Sequence, residues 1–244
     1  MREPYYSAPG VTIYHGLSEE IVPTLGLSFT ALLGDPPYGI NAKTRNLSAK
    51  RGRIHKAAYG AARDWPDIHG DDKPFDPRPW LFAPKTVLWG ANNFTPHLPP
   101  SACWFAWDKL NGGTPSNSSD IELAWTNLPG PARLFSHLWR GAFRAGRENS
   151  SLQVRVHPFQ KPVALMHWCI RQARLTPRDL ILDPWTGSGS LVEAAREVGI
   201  PIVAIDCAEW CCELAAKRCL QAVIPVAEQG EPATQASLPT SRTP

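Results

Sequence analysis

Two short strings carry most of the chemistry this sequence can do. The first is Asp35-Pro36-Pro37-Tyr38. Its prolines stiffen the backbone, so the Asp35 carboxylate and the Pro36 carbonyl are preorganised acceptors. Two acceptors aimed at the hydrogens of a planar amine draw its nitrogen towards a tetrahedral shape and free its lone pair. Tyr38 adds a flat face on which a ring can stack. The second string is Asp183-Pro184-Trp185-Thr186-Gly187-Ser188-Gly189. It reads as a strand-to-helix bend, where small residues at Gly187 and Gly189 let the backbone approach a ligand at a helix N-terminus. Asp206 ends the next apolar strand, where an acid can accept hydrogen bonds from both hydroxyls of a ribose. Either string alone also reads as a plain turn after a buried strand. Together they describe an amine grip and a nucleoside pocket. A dinucleotide loop usually begins with glycine where Asp183 stands, which argues against a nicotinamide oxidoreductase.

These residues need elements to carry them. The strand expected over 29–34 delivers Asp35, and the strand over 179–182 delivers the glycine bend. Leu191, Ala194, Ala195 and Val198 mark a helix that Gly199 stops. Ile202 to Ile205 is an all-apolar strand, as a parallel sheet requires. Pro162 starts a helix through Val163, Met166, Ile170 and Ala173, and another runs through Cys211, Leu214, Ala215, Cys219 and Ala222. Further strands are expected at 11–14, 86–89, 102–107, 121–126 and 134–139. Short helices are expected over 18–25, capped by Ser18, and over 74–82, while residues 1–10 read as an unanchored start.

The bulk numbers set limits. A chain of 244 residues has room for one large α/β domain. Hydrophobic content of 43% and charge of 19% are ordinary for a globular protein. No apolar run is long enough to span a membrane, and the N-terminus lacks the apolar stretch of a signal peptide, so no membrane partner and a cytoplasmic location are expected. Six cysteines in such a chain suit neither a disulfide framework nor a zinc knuckle, so they are expected to pack as small apolar groups, with no metal site. Net charge is only +3, but Lys43, Arg45, Lys50, Arg51, Arg53, Lys56 and Arg63 fall together with no acid among them. Such a run can neutralise phosphates, or can be a solvated loop; its place directly after the Asp35–Tyr38 turn favours phosphate. From Ala227 the Pro, Gln, Ser and Thr content predicts a disordered tail over 227–244.

The two strings, in this order, resemble the DNA amino-methyltransferases that use S-adenosyl-L-methionine, in the permuted group whose catalytic motif precedes its cofactor motif. Residues 12–39, the stretch His157-Pro158-Phe159-Gln160-Lys161-Pro162 and residues 179–219 carry the likeness, about two thirds of the chain. It implies a Rossmann-like methyltransferase fold, α/β, with a mostly parallel twisted sheet and helices on both faces. It implies that Asp183, Trp185, Gly187 and Gly189 wrap the methionine part of the cofactor, that Asp206 holds the ribose, and that Lys161, with His157 and Gln160, lies near the methionine end. It implies catalysis by Asp35, Pro36, Pro37 and Tyr38 on a base flipped out of DNA. Departures are Trp185 where phenylalanine is usual, Phe159 where threonine is frequent, and Leu17 after Gly16 where the family commonly has aspartate; the last weakens expected contacts to the cofactor's adenine.

The expectation is thus a single catalytic domain over 1–226, with a basic DNA-contacting loop over 40–72 and a target-recognition segment within 110–156 that includes Arg133, Arg140, Arg144 and Arg147. Asn92, Asn93 and the run Trp107-Asp108-Lys109 are weaker candidates. Asp at the first motif position is commoner among enzymes acting on adenine N6, and cytosine N4 is the alternative. Glutamine and RNA methyltransferases carry a related motif after the glycine loop, so the order argues against them. A DNA-binding protein without catalysis is the rival from another class, and intact Asp35 and Tyr38 argue against it. The expected partner is DNA; a homodimer and a cognate nuclease stay open.

Overall fold

The computed structural model describes residues 2–42, 44, 65–114, 119–140, 143–145 and 156–220. In chain order their elements are β1 (Tyr6–Ala8), β2 (Val11–His15), α1 (Ser18–Ile21), β3 (Ala31–Gly34), β4 (Lys85–Trp89), β5 (Trp104–Asp108) and β6 (Ile121–Thr126). Then follow β7 (Arg133–Ser136), β8 (Trp139–Arg140), β9 (Phe143–Arg144), α2 (Val163–Gln172), β10 (Ile181–Asp183), α3 (Ser190–Glu197), β11 (Ile202–Asp206) and α4 (Glu209–Leu220). Nine strands form one sheet in the order β1-β2-β11-β10-β3-β4-β6-β5-β7. The five from β2 to β4 in that order run parallel, and β1 and β6 pair antiparallel to their neighbours. This is a Rossmann-like α/β architecture with a mixed, mostly parallel sheet.

The apolar runs bury both faces of the central strands, alternating side by side along each strand. Ala31, Leu33, Val87, Trp89, Ile181 and Ala204 face one way, against Leu165, Cys169, Leu191, Ala195 and Ala215 of α2, α3 and α4. Leu32, Leu88, Leu182, Val203 and Ile205 face the other way, against Ile21, Trp80 and Phe94. The two covers are unequal. One face carries the three long helices, and the other carries α1 and short 3-10 turns. The cysteine expectation fits this packing: Cys169, Cys211, Cys212 and Cys219 are buried and free.

Four local expectations need correction. Residues 1–10 are not loose, because Tyr6–Ala8 pairs antiparallel with β2 around Pro9-Gly10. Ser18 is not the helix cap: Leu17 holds that position, and the Ser18 hydroxyl donates to the Pro184 carbonyl, tying α1 to the glycine bend. The helix expected over 74–82 shrinks to a 3-10 turn at Arg78–Trp80, since Pro74, Pro77 and Pro79 remove the amides an α-helix needs. The strand expected over 134–139 breaks after Ser136, where its partner β5 ends; the chain then forms the β8–β9 hairpin. No helix among the described residues is long and apolar enough to cross a membrane.

Candidate active site

Strands β3 and β10 lie side by side, yet the chain leaves them in opposite directions, β3 towards β4 and β10 towards β11. At such a switch the connecting loops diverge and leave a crevice beyond the carboxyl ends of the strands. Asp35 directly follows β3, Asp183 ends β10 and Asp206 ends β11, so three carboxyls arrive at that rim. A cavity of about 1540 Å³ spans it and is lined by Asp35, Tyr38, Lys161, Asp183, Gly187 and Asp206. The two distant strings therefore share one cleft.

The Asp35 end is a network of half-buried carboxylates around a buried lysine. The Lys161 ammonium lies 2.6 Å from Asp35 Oδ2 and 3.1 Å from Glu122 Oε2. The Tyr38 hydroxyl donates to Asp35 Oδ1 at 2.5 Å, and Lys161 Nζ donates to Tyr38 Oη at 3.0 Å. Lys109 Nζ reaches Glu122 Oε1 at 3.1 Å. Burial raises the Asp35 pKa, and the neighbouring ammonium of Lys161 only partly offsets it. Burial, then the Asp35 and Glu122 carboxylates, push Tyr38 well above its ordinary value, so it remains a donor. Burial works against the charge of Lys161, but Asp35 and Glu122 outweigh it and raise its pKa. Burial likewise opposes the charge of Glu122, and Lys161 with Lys109 holds it below the usual range. Two anions and two cations balance, which is what makes such burial tolerable.

The corner is clamped by a residue that no motif marks. Asp71, 4% exposed, accepts the amides of Gly39 at 2.9 Å, Ile40 at 3.3 Å and Ala42 at 2.7 Å. It pins the chain just past Tyr38. The Tyr38 ring lies against Gly90, where a Cβ would come within 2.0 Å of it. Another contact ties the glycine bend to the last residue of β3, just before Asp35. The Trp185 indole lies where a Cβ on Gly34 would stand, 2.8 Å away. Phe75 and Trp80 meet that indole edge-on, with ring centroids 5.2 and 4.7 Å distant, so tryptophan in place of phenylalanine has its own aromatic cage.

The Asp206 end is built mostly from backbone. Asp206 Oδ2 accepts the Gly187 amide at 2.8 Å and Oδ1 accepts the Ala208 amide at 2.9 Å. Burial raises the Asp206 pKa against those bonds. Burial also pushes the Asp183 carboxyl up to about 8, so it is largely protonated at neutral pH. His157 stacks on Trp210 at 5.1 Å and comes close over Gly187. Gly189 starts α3 with φ +72°, and a Cβ there would meet Ala215 Cα at 2.7 Å. Its smallness lets α4 approach, and Gly189 is not among the residues that line the cavity.

Other expected residues distribute unevenly. Lys161, expected near the methionine end of a cofactor, pairs with Asp35 and lines the shared cavity. Gln160 is buried beside the cavity, where its side chain accepts the Val156 amide at 3.4 Å. Asn93 donates to the Gly90 carbonyl and shapes a turn, and both Asn92 and Asn93 line the cavity. The Arg144 guanidinium lies 4.4 Å over the Trp139 ring at the cavity edge. Lys43, Arg45, Lys50, Arg51, Arg53, Lys56, Arg63, Arg147, the side chain of Arg140 and the tail over 227–244 lie outside the described residues. Glu122, Asp71 and Trp210 were missed. Glu122 left one signal, a lone acid in the otherwise apolar strand Ile-Glu-Leu-Ala-Trp.

Known proteins give the same picture. Residues 108–217 match the family model described as DNA methylase. The type II methyltransferase M.ScaI of Streptomyces caespitosus is 26% identical over 256 residues, covering 88% of this chain and 83% of the relative. Two solved structures share the fold. The M1.HpyAVI–SAM complex is 20% identical with a TM-score of 0.51, covering 86% of this chain and 98% of that one. The cytosine-N4-specific PvuII DNA methyltransferase is 15% identical with a TM-score of 0.56, covering 91% of each. The resemblance read from the two strings is thus borne out. The methylase match begins at residue 108, so the Asp35 corner stands on its geometry.

Proposed function

We propose that this DNA methyltransferase of the N6/N4 kind moves a methyl group from S-adenosyl-L-methionine to N6 of adenine in DNA. One observation carries the reading: the Asp35 corner and the glycine bend open onto a single cavity at the switch between β3 and β10. The residues suit the cofactor. Asp206 keeps acceptor lone pairs for ribose hydroxyls at the end of β11, and Gly187 leaves backbone open beside it. Asp183, Trp185 and Gly187, with His157, would hold the methionine portion. The bound cofactor supplies a methyl group on a sulfonium sulfur.

The chain's own groups do the rest. Asp35 and the Pro36 carbonyl accept the two amino hydrogens of the target base and draw its nitrogen out of conjugation. Tyr38, held in place by Gly90 and by its bond to Asp35, presents its ring to the flipped base. On methyl transfer the amine would become one proton too rich, and that proton passes to Asp35. Burial suits Asp35 to that last task, since it raises the affinity of the carboxylate for a proton.

Nine of the eleven described strands share one sheet, which supports a single catalytic domain over 1–226. Ala42 and Pro66, which flank the basic run in sequence, both line the cavity, which supports phosphate contact by that run. Target recognition falls to 110–156, where Arg144 borders the cavity. A cytoplasmic location agrees with a DNA substrate. The test is transfer of labelled methyl to duplex DNA, followed by nucleoside analysis. N6-methyladenine is expected; N4-methylcytosine moves the target to the other base, and bound cofactor without any transfer removes the enzyme reading.

A further inference from the structure

We infer that Glu122 is a positioning residue that receives the Lys161 ammonium when the target amine takes its place on Asp35. The inference rests on the amine-accepting role proposed for Asp35. In the structure both Asp35 oxygens are engaged, Oδ1 by the Tyr38 hydroxyl at 2.5 Å and Oδ2 by Lys161 Nζ at 2.6 Å. An incoming amino group therefore competes with a buried cation. Lys161 is 8% exposed, so an ammonium pushed off Asp35 has little access to water. Left without an anion there, it would carry a large desolvation penalty. Glu122 Oε2, 3.1 Å from the same nitrogen, removes that penalty: the cation changes carboxylates without leaving the site.

Glu122 is built to wait for it. It is the second residue of β6, paired in register with Trp107, so its backbone is fixed by the sheet. Lys109, just past the end of β5, holds its other oxygen at 3.1 Å. The charged and titratable groups that face Asp35 are Lys161, Glu122, Tyr38 and Asp183, with Lys109 behind Glu122 and Asp71 behind Tyr38. Among these, Glu122 raises the proton affinity of Asp35 and Lys161 lowers it. Without the Glu122 charge, Lys161 belongs to Asp35 alone. The acceptor is then both harder to vacate and less basic.

The test compares wild type, Glu122→Gln and Glu122→Asp in labelled methyl transfer to duplex DNA from pH 5 to 9, with cofactor affinity measured separately. The expected result for Glu122→Gln is a kcat lower by about tenfold to a hundredfold, the scale on which misplacing a catalytic group acts. Its acidic limb should move to lower pH, cofactor affinity should stay unchanged, and Glu122→Asp should recover part of the rate. An unchanged rate, or a slower rate with the acidic limb in place, overturns the inference. If Glu122→Gln does not fold, a wild-type structure with cofactor product and target duplex decides instead. Lys161 on Glu122 and off Asp35 supports the exchange, and Lys161 still on Asp35 refutes it. A wild type that methylates no DNA fails the functional reading itself, whereas an active wild type with an indifferent Glu122→Gln fails this inference alone.

Discussion

The Asp35 corner and the glycine bend end neighbouring strands, yet they are held by different means. The bend is largely a local structure. Its shape follows from φ at Gly187 and Gly189, and its acid, Asp206, arrives one β-α-β step later. The corner depends on distant parts of the chain: Asp71, Glu122 and Lys161 come from three separate segments, and each supplies a charge. Cofactor sites can be backbone cradles because their ligand brings its own charges and hydroxyls. A site that must grip and deprotonate an amine needs side-chain charge, and buried charge needs partners from elsewhere.

Substitutions on the two sides should separate along that line. The largest effect is expected from Asp35→Ala, which removes the acceptor. Methyl transfer should fall by about 10³-fold or more while cofactor affinity stays near wild type, as calorimetry would show. Next comes Asp71→Ala, which frees three amides and loosens the corner from behind. We expect a loss of about 1–3 kcal/mol of stability and a kcat reduced by roughly tenfold to a hundredfold, again with the cofactor still bound. A parallel loss of cofactor affinity would show that the two regions are one unit.

On the other side, Gly189→Ala places a Cβ 2.7 Å from Ala215 Cα at φ +72°. It should cost about 1–3 kcal/mol in backbone strain, or about 2–4 °C in Tm for each kcal/mol at this chain length. Cofactor affinity should fall more than kcat does. The remaining effect concerns pH. The Asp183 carboxyl is pushed up from 3.8 to about 8 in the folded protein, so the folded state holds a proton that the unfolded chain releases. Its contribution to stability is therefore complete below the ordinary carboxylate range and fades as pH rises through about 8. Thermal unfolding of the cofactor-free protein from pH 5 to 9 should show a decline that is shallower in Asp183→Asn. Equal slopes would mean that Asp183 is ionised in the cleft.

The cofactor half was legible because its signals lie close together in sequence. Apolar runs at Ile181 and Ile202, small residues in the bend and the Gly199 stop all act within one β-α-β unit. The corner was half legible. Its own four residues were plain, but Asp71 looks like any loop aspartate and Lys161 like any lysine before a helix. Local misreadings had local causes too: the prolines around Trp80 cut a helix to one turn, and the end of β5 cut β7 short.

By itself the sequence determined the α/β pattern, the two strings and their order, because propensity, periodicity and proline stiffness act over a few residues. Only the tertiary structure decided that Lys161 pairs with Asp35, that Glu122 shares it, and that Trp185 rests on Gly34. Pairing of buried charge and close packing depend on distance in space, and only the folded chain brings Lys161 to 2.6 Å from Asp35 and 3.1 Å from Glu122.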